Sequence, residues 1–130
     1  MTQHEAVTLA TDTIHNPNEP RHFMAIKPVE RRVRIFRGET LLADTTQAVR
    51  VIEVGRGVYD PNFYVPTEDV AVALEQTDKS SHCPLKGDAS YFALDGEEIA
   101  WAYDKPFDFA QGLAGRRAFW ASKVRIEEGA

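Results

Sequence analysis

The run SHCPLKGDASY, residues 81–91, brings together an imidazole (His82), a thiol (Cys83), an amine (Lys86), a carboxyl (Asp88) and a hydroxyl (Ser90). A thiol beside an imidazole is the raw material of a thiolate–imidazolium nucleophile, so His82 and Cys83 are the candidate catalytic pair. Adjacent residues of an extended segment point to opposite sides, so the two meet only if a turn brings them together. No third group that would orient the imidazole is visible, and a small free thiol is more often packed and inert than reactive. Lys86 offers one positive contact to an anion, although the residues around it lack the G-x-x-x-x-G-K-[ST] spacing that cradles phosphates. Pro84 and Gly87 read as turn formers, Gly87 with positive φ.

Other chemistries find less support. A structural zinc site takes about four Cys or His ligands, usually in close pairs. One cysteine and four scattered histidines (His4, His15, His22 and His82) do not supply it, so neither a metal nor another cofactor is expected. The one D-x-E is Asp95-Gly96-Glu97, which reads as a hairpin turn rather than a carboxylate pair for two ions. No G-x-S-x-G nucleophile elbow is present.

The elements that must position these residues are strands. ASYFALDGEEIAWAYD carries two β-rich runs around Asp95-Gly96, a strong hairpin signal. With an even loop and unbroken alternation, Ser90, Phe92 and Leu94 share a face with Ile99, Trp101 and Tyr103, while Tyr91 points away. Residues 81–88 enter the sheet at the end where Trp101 and Tyr103 lie. Trp101 and Tyr103 would then wall a pocket to which His82, Lys86, Asp88 and Ser90 add polar contacts, and Tyr64 of the separate NFYVP run is taken as a third aromatic wall. The competing reading is that Trp101 is a core residue with Tyr103 at its rim.

Elsewhere, strands are predicted near 32–36, 49–54, 90–94 and 98–103, with LLADT and NFYVP as shorter partners and a further strand running into Leu74. A helical turn is predicted after Thr67 and a short helix near 108–114, and 117–124 reads as a last strand or helix. Residues 1–20, broken by Asn16, Pro17, Asn18 and Pro20, read as a loose N-terminal arm, and 21–130 as a single β domain. The predicted fold class is mostly β: a small antiparallel domain with one or two short helices. No βαβ alternation appears, which argues against Rossmann-type and P-loop folds.

A net charge of −5 argues against nucleic-acid binding, which needs a basic face, and the cluster Arg31, Arg32, Arg34 and Arg37 reads as a solvated strand face. No apolar run spans a bilayer and no signal peptide opens the chain, so the expectation is no membrane partner and a cytoplasmic location. A single cysteine is consistent with that reducing compartment.

YVPTEDV (64–70), TDKSSHCPLKGDASYFAL (77–94) and WAYDKP (101–106), in this order and spacing, resemble the bacterial domain of unknown function 427 family, sometimes labelled nucleotidyltransferase-like. The resemblance covers about residues 22–125 and implies a β-tent fold. Zinc-bearing β-tents hold their metal with two Cys pairs, which this chain lacks, so that metal is not carried over. The leading expectation is a module that binds a small planar polar, nucleoside-like ligand. The alternatives are a nucleotidyl- or phosphoryl-transfer enzyme using the same pocket, with His82 as acid/base and Lys86 on the anionic group, and a purely structural or interaction protein. Either a monomer or an edge-paired homodimer is compatible with the sequence.

Overall fold

Runs rich in Val, Ile, Phe and Tyr, stopped by Gly, Pro and Asp-Gly, build a fold of strands. The computed structural model describes residues 10–129. In chain order the strands are β1 (Ile14–Asn16), β2 (Glu19–Pro28), β3 (Val33–Arg37), β4 (Thr40–Thr45), β5 (Val49–Val54), β6 (Asn62–Pro66), β7 (Glu75–Cys83), β8 (Gly87–Leu94), β9 (Glu97–Ala102), β10 (Arg116–Phe119) and β11 (Arg125–Glu128). Two 3₁₀ segments, Thr67–Asp69 and Asp108–Leu113, are the helical elements among the described residues. The second lies where a short helix was predicted, but it is kinked at Ala110 (φ −120°) and ends as extended chain at Ala114. No helix among the described residues is long and apolar enough to cross a membrane.

All strand pairs are antiparallel. One sheet has eight strands in the order β1-β2-β5-β6-β10-β9-β8-β7, and the other has three, β11-β3-β4. The core divides accordingly. One cluster lies between the sheets, with Val33, Ile35, Leu42 and Ala43 from the small sheet against Val65, Phe92, Ile99, Ala100 and Phe119 from the large one. A second cluster fills the other face of the large sheet: Met24, Val51, Tyr64, Ala89, Trp101 and Tyr103, with Ala110 and Leu113 of the second 3₁₀ segment.

The predicted hairpin forms, with Leu94 opposite Glu97 across Asp95 (φ 53°) and Gly96 (φ 81°). Its facing differs from the expectation. Ala93 pairs with Glu98 but Phe92 pairs with Ala100, so Ile99 is an extra residue in β9. This bulge shifts the alternation by one. Trp101 therefore lies opposite Tyr91, in the second cluster, while Phe92 and Ile99 belong to the first.

The N-terminal expectation also needs correction. Residues 1–9 lie outside the described residues, but 14–20 form β1 and the start of β2. Asn16-Pro17-Asn18 is the hairpin turn between them, closed by the Asn18 N–H donating to Asn16 Oδ1 at 2.9 Å. Turn formers are also chain breakers, which is why this hairpin reads as a loose arm in sequence. Residues 70–74, expected to be a strand, contribute a single bridge from Val70 to Ala43, and β7 begins only at Glu75. That edge strand is exposed along most of its length, so it carries no alternating apolar signature.

The large sheet curls. β5 and β8 are separated by three strands, a gap of roughly 19 Å in a flat sheet at about 4.8 Å per step. Yet Lys86, in the turn leading into β8, forms an ion pair with Glu53 of β5. The second cluster occupies the hollow this curl encloses.

Candidate functional site

A row of residues crosses the hollow face strand by strand. Val49 of β5 lies opposite Tyr64 of β6, Tyr64 opposite Ala118 of β10, Ala118 opposite Trp101 of β9, and Trp101 opposite Tyr91 of β8. Ala118 is the small member. Its methyl leaves a gap across which Trp101 Nε1–H donates to the Tyr64 hydroxyl at 3.0 Å. The two rings meet edge to face, centroids 6.1 Å apart and planes at 88°. Trp120, just past β10, lies over Trp101 at a centroid distance of 4.4 Å, anchored by its indole N–H on Glu98.

The run Cys83-Pro84-Leu85-Lys86 is a β-turn, closed by the Lys86 N–H donating to the Cys83 carbonyl at 3.2 Å. Leu85 is fully buried and anchors it. Gly87 has φ +118°, and a Cβ there would stand 3.3 Å from the Lys105 carbonyl oxygen and Pro106 Cα. The segment clamps back, with the Phe107 N–H donating to the Lys86 carbonyl at 3.0 Å. The motif thus works as a delivery device that carries a lysine into the hollow.

Lys86 is only 6% exposed. Its ammonium donates to Glu53 Oε1, and it lies 5.7 Å from the centroid of the Tyr103 ring. The other Glu53 oxygen accepts from His22 Nε2 at 2.8 Å, and His22 Nδ1 accepts from Asn16 Nδ2 at 3.3 Å. Glu53 shares its strand face with Val49 and Val51, which places a carboxylate among apolar neighbours. Burial pushes its carboxyl up, but the hydrogen bonds and charges of Lys86 and His22 outweigh that and hold it below the usual carboxylate range. Burial is also the main reason that the Tyr64 and Tyr103 hydroxyls are shifted far upward, so both are neutral donors at any ordinary pH.

Lys86, Tyr64 and Tyr103 border a cavity of about 180 Å³ whose lining also includes Asn62, Tyr91, Trp101 and Trp120. Tyr103 is 9% exposed, and none of the hydrogen bonds among the described residues uses its hydroxyl. On the far side of the Glu53 cluster is a wider recess of about 640 Å³, bordered by Arg21, His22, Arg56, Tyr59 and Pro84 among others.

Of the residues expected at the site, the structure brings together Tyr64, Lys86, Trp101 and Tyr103, with Cys83 half-buried beside them. It does not bring His82, Asp88 or Ser90 to them. His82 and Cys83 are consecutive in β7 and point to opposite sides. His82 Nδ1 instead pairs with Asp88 at 2.8 Å in an exposed position, and its ring meets Phe107 edge to face. Ser90, between Ala89 and Tyr91, faces away from the hollow. His22, Glu53, Asn62, Tyr91 and Trp120 join the site without having been marked in the sequence. For Glu53 a signal existed: in VRVIEV it occupies the next inward position after Val49 and Val51.

The matching of family models places residues 25–129 in a domain of unknown function (DUF427). Comparison with the curated proteins finds no match.

Proposed function

Because the chain belongs to the DUF427 family, whose description assigns no reaction, we propose a function from the site itself: the cavity binds a small planar polar ligand. The observation that carries this reading is Tyr103, whose nine-tenths-buried ring lines the cavity while its hydroxyl has no hydrogen-bond partner among the described residues. The Tyr103 oxygen is not among the sealed, unpartnered side-chain atoms of the described residues, so it is a donor open to the cavity that a ligand acceptor can engage in place of water. Tyr64 adds a second donor, because its oxygen is already accepting from Trp101 while its own O–H has no acceptor among the described residues. Lys86 favours an acidic or strongly electron-rich atom, and Tyr91, Trp101 and Trp120 supply faces for a ring. A volume of about 180 Å³ is below the roughly 300–1,000 Å³ that holds drug-sized ligands, so a single heteroaromatic ring fits better than a whole nucleotide.

A transfer reaction beside the same cavity is the second reading, favoured by the ion pairs that link Lys86 of the cavity wall to Glu53 and, through it, to His22 of the neighbouring recess. In that reading Lys86 holds the anionic group and Glu53 with His22 handles protons, since His82 faces away.

The test is a screen of nucleobases, nucleosides and planar carboxylates, read by tryptophan fluorescence and thermal shift. Binding by wild type is expected to weaken by about 5- to 150-fold in Trp101→Ala, the equivalent of about 1–3 kcal/mol for one lost stack. Tyr103→Phe is expected to weaken it while leaving the fold intact. A ligand bound equally by wild type and Tyr103→Phe would place the site elsewhere. Turnover of any ligand found, followed by NMR, separates the second reading from the first.

A further inference from the structure

We infer that His22, Glu53 and Cys83 form a binding site for a zinc-class transition-metal ion. One imidazole nitrogen, one carboxylate oxygen and the thiol sulfur, from β2, β5 and β7, all lie within 4.8 Å of one another. Zinc bond lengths of about 2.0–2.3 Å put tetrahedral ligands roughly 3.3–3.6 Å apart, so rotations that move the donors by about an ångström close the set. The donor chemistry selects the metal: thiolate, imidazole and one carboxylate suit zinc or cobalt(II), whereas magnesium and calcium take oxygen ligands alone. Counting ligands along the sequence misses the group because the residues are far apart in the chain, and only the curl of the sheet makes them neighbours.

Three protein ligands leave a fourth position for water or a ligand, the arrangement of reactive rather than structural zinc sites. An entry path exists, since His22 borders the wide recess beside Pro84. Binding exchanges the thiol proton for the metal: the S–H bond breaks, the S–metal bond forms, and one proton leaves to solvent. If Nε2 ligates, the imidazole proton moves to Nδ1, where Asn16, 5% exposed, turns its amide oxygen to receive it. That turn gives up the Asn18 N–H contact to the same oxygen. The ion competes with Lys86 for Glu53, and the displaced ammonium has the Tyr103 ring beside it. This inference stands apart from the ligand reading, which uses Tyr64, Lys86, Trp101 and Tyr103 and a different probe; it shares His22 and Glu53 with the transfer reading alone.

The experiment titrates tag-free, chelator-stripped, reduced protein with cobalt(II) and follows the spectrum, the proton release and displacement by zinc. The expected result is one equivalent bound, with a sulfur-to-cobalt charge-transfer band and about one proton released per ion at a pH where the free thiol is protonated. The band is expected to vanish in Cys83→Ser. Affinity is expected to fall in His22→Ala and Glu53→Gln by at least the roughly 10–100-fold seen when a mere supporting partner is lost. Absence of the band in wild type would overturn the inference without any variant having to fold. A band retained at wild-type affinity in both His22→Ala and Glu53→Gln, each shown folded by circular dichroism, would overturn it as well, since a lone thiol would then be holding the ion.

Discussion

Two tyrosines of the hollow carry opposite expectations for the same substitution. The Tyr64 hydroxyl accepts the Trp101 indole N–H in a buried setting. Tyr64→Phe keeps the ring but leaves that N–H without a partner, at an expected cost of about 1–3 kcal/mol. The Tyr103 hydroxyl has no such duty among the described residues, so Tyr103→Phe removes an unpaired polar group and is expected to leave stability unchanged or raised. Urea denaturation with the slope m unchanged measures both. If Tyr103→Phe proves as damaging as Tyr64→Phe, the Tyr103 hydroxyl has an internal partner and its availability to a ligand is lost. A stability gain paired with weaker ligand binding is the trade expected of a site residue.

At the scale of elements, the turn 83–86 and its clamp decide where Lys86 goes. Gly87 meets two constraints, a φ of +118° and a close approach of the backbone at 105–107. Gly87→Ala is therefore expected to cost about 1–3 kcal/mol or more. Gly96, with φ +81° and open space around it, is expected to lose less on the same change, because strain is its only cost. Thermal melts of the two variants give the order, and an equal loss would mean that the clamp does not constrain Gly87. Much of this was legible in the sequence. The Asp-Gly hairpin, the turn role of Pro84 and Gly87, and the delivery of Lys86 toward Tyr103 by the turn before the hairpin follow from local chemistry. The face assignments were not legible, because a single bulged residue, Ile99, inverts every later position of β9. Strand β7 was missed as an edge whose polar residues lack an inward stripe, and β1 with the start of β2 because their turn is made of chain breakers. His22 and Glu53 needed the register of β2 on β5, where Met24 faces Glu53 and His22 is the next inward residue.

For the whole molecule, the Lys86–Glu53 pair fastens the turn before β8 to strand β5 across the curl of the sheet. A buried pair of this kind contributes little over an apolar replacement of both partners, yet breaking it by removing one partner costs about 3–5 kcal/mol, because the other charge stays buried and unmatched. Acid does the same as mutation. The Glu53 carboxyl titrates below its ordinary value of about 4.5 in the folded chain, so the folded state binds its proton less readily than the unfolded chain does. The resulting stabilisation is fully present above the unfolded value and is lost as pH falls below about 4.5 through the folded value. Two exposed carboxylates titrate in the same direction: Glu19, brought to about 2 by its hydrogen bonds with Arg21, and Asp44, lowered by Arg32. Salt separates them, because exposed pairs are screened and a buried pair is screened far less. The expected outcome is a loss of urea-measured stability as pH falls below about 4.5 that persists in high salt and is flattened in a Glu53→Gln, Lys86→Met double variant, which lacks the titrating pair. A profile that salt abolishes in the wild type would assign the acid sensitivity to the surface pairs and leave the seam between β5 and the β8 turn held by Leu85 and its apolar neighbours alone.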